Sequence, residues 1–127
     1  MSRNHLAAIT LIMSGVFFVL YPAIRPFSDE SSLQGAEAFA SFSWIIAHSL
    51  AIMAFVLLTL GLLGLYMYLH EKSTTNTIKH NTMQALILIW IGVGFTLPYY
   101  GSETFGLHAI GQEIIKEKNM LRSLFLW

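Results

Sequence analysis

Apolar residues dominate three long stretches, residues 4–24, 38–70 and 80–102, and none of the three contains an Asp, Glu, Lys or Arg. A helix with one face in water normally marks that face with charge. Crossing roughly 30 Å of hydrocarbon takes about 20 helical residues. The pattern therefore predicts three membrane-spanning helices, over about 6–24, 44–68 and 83–100. Pro22 falls near the end of the first span, where a lost backbone bond matters least, and Pro26 closes it. Trp44 at one end of the second span and Tyr66 and Tyr68 at the other fit interfacial aromatic belts.

The intervening segments are polar. Residues 26–41 carry Asp29, Glu30 and Glu37, and the second half, 33–42, begins the second span early or lies in the interface. Residues 71–82 form a polar connection with Lys72 and Lys79. In the tail, 103–127, Leu107, Ile110, Ile114, Leu121 and Phe125 recur at helical spacing, with Glu113, Lys116, Glu117 and Lys118 largely between them. That pattern predicts an amphipathic helix lying on the membrane surface. The chain closes on the apolar run Leu124, Phe125, Leu126 and Trp127, which reads either as a surface anchor or as a fragment cut before a further span.

Composition narrows the functional classes. Charged residues make up 11% of the 127, against about 25% in soluble domains. Formal net charge is zero and no basic run suggests nucleic acid. With no cysteine, disulfides, thiolate metal sites and thiol nucleophiles are excluded. The first apolar segment follows Arg3 but lacks a small-x-small cleavage site before Arg25, so it reads as an uncleaved anchor. The short segments place Arg3, Lys72 and Lys79 on one side against Arg25 on the other, which predicts a cytoplasmic N-terminus. The tail cations Lys116, Lys118 and Arg122 then fall outside.

Three spans bring the 26–41 side of the bundle together, and with it a candidate polar cluster of Arg25, His48, Tyr99, Glu103 and His108. Helical phase puts Thr10, Ser14, Phe17, Tyr21 and Arg25 on one face of the first span. In the third span, Ala85, Gly92, Thr96, Tyr99 and Glu103 share a face. Ala47, Ala51, Ala54 and Gly61 form a small-residue stripe in the second, with His48 at its edge. Small residues let membrane helices approach closely, so these faces are expected to point inward. An ionisable residue inside a span is rare and often functional. His48 reads either as a proton or metal group or as a satisfied interfacial histidine. Arg25 and Glu103 read as an interfacial ion pair or as part of a cation or proton path. His48, Glu103 and His108 together offer two nitrogens and a carboxylate, a set that binds zinc or iron in principle. No HExxH and no histidine pair four apart enforces it, and two facing axial ligands for a haem are not evident. Neither a metal, a cofactor nor a catalytic residue is therefore assigned.

At residues 21–26, Tyr-Pro-Ala-Ile-Arg-Pro, and again at 97–101 through 105–108, the chain resembles small multi-pass bacterial membrane proteins. The resemblance covers the spans and brings no activity or site residue. Such proteins often have more than three spans, which favours the fragment reading. The expected fold is an all-α integral membrane bundle of three transmembrane helices plus a C-terminal amphipathic helix, in one domain of the cell membrane. The leading functional expectation is a non-enzymatic accessory or oligomerising component, partnered by the bilayer and by a second copy or another membrane protein. The alternatives are a small transporter or half-transporter using Glu103 and His48, and a haem- or metal-dependent membrane enzyme.

Overall fold

The computed structural model describes residues 3–29 and 31–124, and all of its regular structure there is helical. Four helices follow in order: α1 Arg3–Ile24, α2 Leu33–Ala40, α3 Phe42–Lys72 and α4 Asn76–Leu124. Three of them, α1, α3 and α4, are long and apolar enough to cross a membrane. Glu30 and residues 125–127, with the apolar close of the tail, lie outside the described residues.

Local chemistry sets the breaks. The last turn of α1 closes with the Arg25 amide donating to the Tyr21 carbonyl at 3.0 Å, and Pro26 stops it. The Asp29 carboxylate then accepts from the Ser31 amide at 3.0 Å, the Ser32 amide at 2.6 Å and the Ser32 hydroxyl at 2.8 Å. These bonds hold its carboxyl below the ordinary 3.8, with the Ser32 hydroxyl the largest cause. Ser32 is in turn the N-cap of α2, its oxygen accepting from the Gly35 amide. Ser41 ends α2 and starts α3. Its amide and hydroxyl donate to the Ala38 carbonyl, and its oxygen accepts from the Trp44 amide at 3.2 Å. Residues 33–40 thus form a separate short helix rather than an early start of the second span.

The central helix is α3. Along one flank it meets α1 and along another α4, while α1 and α4 have no close backbone contact with each other. Ala47, Ala51, Ala54 and Gly61 are all buried, as the small-residue stripe predicts. A Cβ on Gly61 would sit 2.6 Å from Leu11 Cγ, and one on Gly64 would run into Ala7, so the α1–α3 approach depends on both glycines. Midway along, Ser14 is buried and its hydroxyl donates to the Ala54 carbonyl at 2.8 Å.

Two expectations about the third span are corrected. Its inward face carries Leu86, Val93 and Thr104, about one residue out of phase with the predicted Ala85, Gly92, Thr96, Tyr99 and Glu103. Gly92 meets nothing within 4 Å, and Thr96 turns its hydroxyl back to the Gly92 carbonyl. Here α4 packs on α3 through large aliphatic side chains, so the small-residue rule points the wrong way. Secondly, the tail is not a separate helix. Pro98 removes one backbone bond, but the helix continues through it as a single rod of 49 residues, roughly 70 Å long. The outer part of that rod is braced by α2. Gly111 is buried there, and a Cβ on it would lie 2.7 Å from the Ala36 carbonyl oxygen and 2.8 Å from the Ala40 nitrogen. Lys118 pairs with Glu37 across the same contact at 3.1 Å.

Candidate functional site

The end of α1, the start of α3 and the middle of α4 converge on one mouth of the bundle. Its floor is His48, wholly buried on α3. One turn earlier, Trp44 is equally buried and lays its indole on the imidazole, ring centres 4.0 Å apart. The indole Nε1 donates to the Glu103 carbonyl at 3.2 Å, tying α3 to α4. Phe39 of α2 packs its edge on the indole at 4.8 Å, and the Arg25 guanidinium lies 5.1 Å from the centre of the same ring. Tyr21 and Tyr100 close the remaining sides, with ring centres 5.3 and 6.2 Å from the imidazole.

The hydrogen-bond geometry fixes the tautomer of His48. Its Nδ1 lies 2.9 Å from the Trp44 carbonyl oxygen, which only accepts, so Nδ1 carries the hydrogen. In the neutral ring Nε2 is then a bare lone pair. This nitrogen is buried with no hydrogen-bond partner. Glu103 Oε1 is 3.6 Å away, too far for a hydrogen bond and close enough to feel the charge. Arg25 Nη2 lies 3.6 Å from the same carboxylate oxygen. The two charged partners grade outward. Glu103 has 15% of its side chain exposed and Arg25 38%, so the carboxylate stands between the buried imidazole and water. An open pocket of about 420 Å³, lined by Tyr21, Pro22, Arg25, Pro26, Phe27 and Ser28, adjoins this outer side.

Of the five residues predicted to cluster, Arg25, His48 and Glu103 come together. Tyr99 does not. It is 63% exposed, and Tyr100 takes the inward place because the face of α4 is turned by one residue. His108 sits elsewhere. Its Nδ1 donates to the Phe39 carbonyl at 2.8 Å, and Gln112 Nε2 lies 2.9 Å from its Nε2. Both nitrogens are engaged, Nδ1 in holding α2 to α4 and Nε2 with Gln112 of its own helix, so His108 completes no ligand set with His48 and Glu103. Among the described residues no group of three His, Cys, Asp or Glu side chains is placed to hold a metal ion.

Sequence reasoning missed Trp44. As an interfacial belt residue it belonged at a wet surface, yet it is the cover of the site. Its spacing of four from His48, which stacks the two rings on consecutive turns, was the available signal.

Scans against protein-family models, curated proteins and solved structures give no match to this chain.

Proposed function

We propose that the protein is a multi-pass component of the cell membrane that works by association, and that its partner is a second copy of the same chain. In this reading α1, α3 and α4 cross the bilayer with the N-terminus cytoplasmic. The observation that carries it is the outer part of α4. A rod that continues its own span leaves the hydrocarbon after about 20 residues. Beyond Glu103 it still exposes Ile110 at 55%, Ile114 at 40%, Leu121 at 52% and Leu124 at 67%. Exposed apolar area is unfavourable by about 25 cal/mol per Å². The small-residue stripe of α3 lends no support, because α1 already occupies it.

Several features favour self-association. Copies inserted the same way run their α4 helices parallel. Ile110, Ile114, Leu121 and Leu124 fall at the core positions of a heptad. Glu113 and Lys118, five residues apart and of opposite charge, flank that seam where parallel helices pair their edges. Glu117 occupies one core position and weakens the seam; Lys118 would exchange Glu37 for the partner's carboxylate.

Because the chain has no cysteine, single-cysteine crosslinking in native membranes is a clean test. Ile114→Cys should give a dimer, and Lys116→Cys, on the other side of the rod, should not. Monomer from both variants would sink the association. A crosslinked product whose mass does not correspond to a second copy would replace self-association with a different partner.

A further inference from the structure

We propose that His48 and Glu103 form a proton-exchange site at the bundle mouth, tuned by Arg25. This inference is independent of the association reading.

Burying a nitrogen lone pair without a donor is costly, and most buried polar atoms avoid it. His48 Nε2 does not: it is wholly enclosed, unpartnered and 3.6 Å from a carboxylate oxygen. A purely structural histidine would need no more than its Nδ1 bond to the Trp44 carbonyl. The open nitrogen is left facing the group that can supply what it lacks. Hydronium reaching the pocket beside Arg25 gives its proton to the Glu103 carboxylate, leaving water and a neutral carboxyl. Moving inward by under about 1 Å brings that carboxyl into hydrogen-bond reach of Nε2. The O–H bond then breaks as the N–H bond forms, giving carboxylate and imidazolium with no change in electron count. The reverse path returns the proton to water. This is the chemistry of an ionisable pair on a membrane proton path.

The charged and titratable groups facing the ring come from two elements besides its own. From the α1 end they are Tyr21 and Arg25, and from α4 they are Tyr100 and Glu103. The α2 helix contributes the apolar Phe39, which packs on Trp44. Glu103 therefore favours the imidazolium and Arg25 opposes it, so removing them should move the titration in opposite directions.

The test is a pH titration of the full chain in nanodiscs with ¹⁵N-labelled histidine rings, His48→Gln serving to assign the His48 signals. On acidification His48 should pass from the Nδ1–H tautomer to the doubly protonated ring. In Glu103→Gln the midpoint should fall by about one pH unit or more, and in Arg25→Gln it should rise. A ring that keeps one protonation state throughout the titration overturns the proposal, as does a midpoint indifferent to Glu103→Gln. Should Glu103→Gln not fold, the Arg25→Gln shift decides: an upward shift supports the site and no shift overturns it.

Discussion

Two glycines five residues apart on α4 should respond to the same substitution with opposite signs. Gly106 has nothing within 4 Å of where a Cβ would be. Gly106→Ala therefore collects the helix-propensity difference alone, a gain of up to about 1 kcal/mol. Gly111→Ala collects the same gain but places its methyl 2.7 Å from the Ala36 oxygen, 2.8 Å from the Ala40 nitrogen and 2.9 Å from Phe39 Cβ. The first two are backbone atoms, which no rotamer change can clear, so α2 must back away. Overpacking of this kind costs about 1–3 kcal/mol. The retreat also stretches the 2.8 Å bond from His108 to the Phe39 carbonyl, worth about 1 kcal/mol. Set against the propensity gain, Gly111→Ala should destabilise by about 1–3 kcal/mol. Equilibrium unfolding in mild detergent measures both variants. Amide exchange across 33–40 should rise in Gly111→Ala and stay unchanged in Gly106→Ala. If Gly111→Ala is as stable as wild type and α2 remains protected, the close seating of α2 on α4 is refuted.

Ser14→Ala should cost about 0.5–1.5 kcal/mol by removing the bond to the Ala54 carbonyl. Thr59→Ala, whose hydroxyl bonds its own helix at Val56, should cost less in the same unfolding assay. A double-mutant cycle on Arg25→Ala and Glu103→Ala should give a coupling of about 0.5–1 kcal/mol, small because Arg25 is partly exposed. Strict additivity would remove the ion pair from the description. At Asp29 the folded chain favours the carboxylate, so the order it gives residues 31–35 is complete above its ordinary value of 3.8 and is lost as pH falls through its lower folded value. Asp29→Asn should show the acid form's loosened Ser31 and Ser32 amides at neutral pH, read by amide exchange, and a loop that keeps its protection would contradict this.

The three long apolar helices were legible because absence of charge over 20 or more residues has few other meanings. The α1–α3 contact was legible for a related reason: a stripe of Ala47, Ala51, Ala54 and Gly61 invites close approach, and α1 accepts the invitation. The same rule misled on α4. Ala85, Gly92 and Thr96 look like an interface, but a helix is oriented by whichever face buries most, and Leu86 and Val93 outweigh them. That turn of about 100° exchanged Tyr99 for Tyr100 at the mouth. Tyr99, Tyr100 and Gly101 read as the interfacial end of the third span. They were overridden because the segment beyond them finds tertiary support on α2, whose own position depends on caps at Ser32 and Ser41. The fate of His108 was hidden for the same reason: its partner is a main-chain carbonyl, at Phe39, which sequence does not mark. Arg25, His48 and Glu103 could be brought to one mouth by topology alone, while the bare Nε2 required the tautomer.

The continuity of α4 has a mechanical consequence. From Glu103 outward the rod is a lever arm of about 32 Å, and a tilt of about 5° at the mouth corresponds to about 3 Å of travel at its far end. A grip on that end strong enough to tilt α4 at the mouth would change the separation between carboxylate and imidazole. Linkage makes the action mutual. If a grip on the outer arm prefers one protonation state of the pair, then loading the pair with a proton must alter that grip by the same factor.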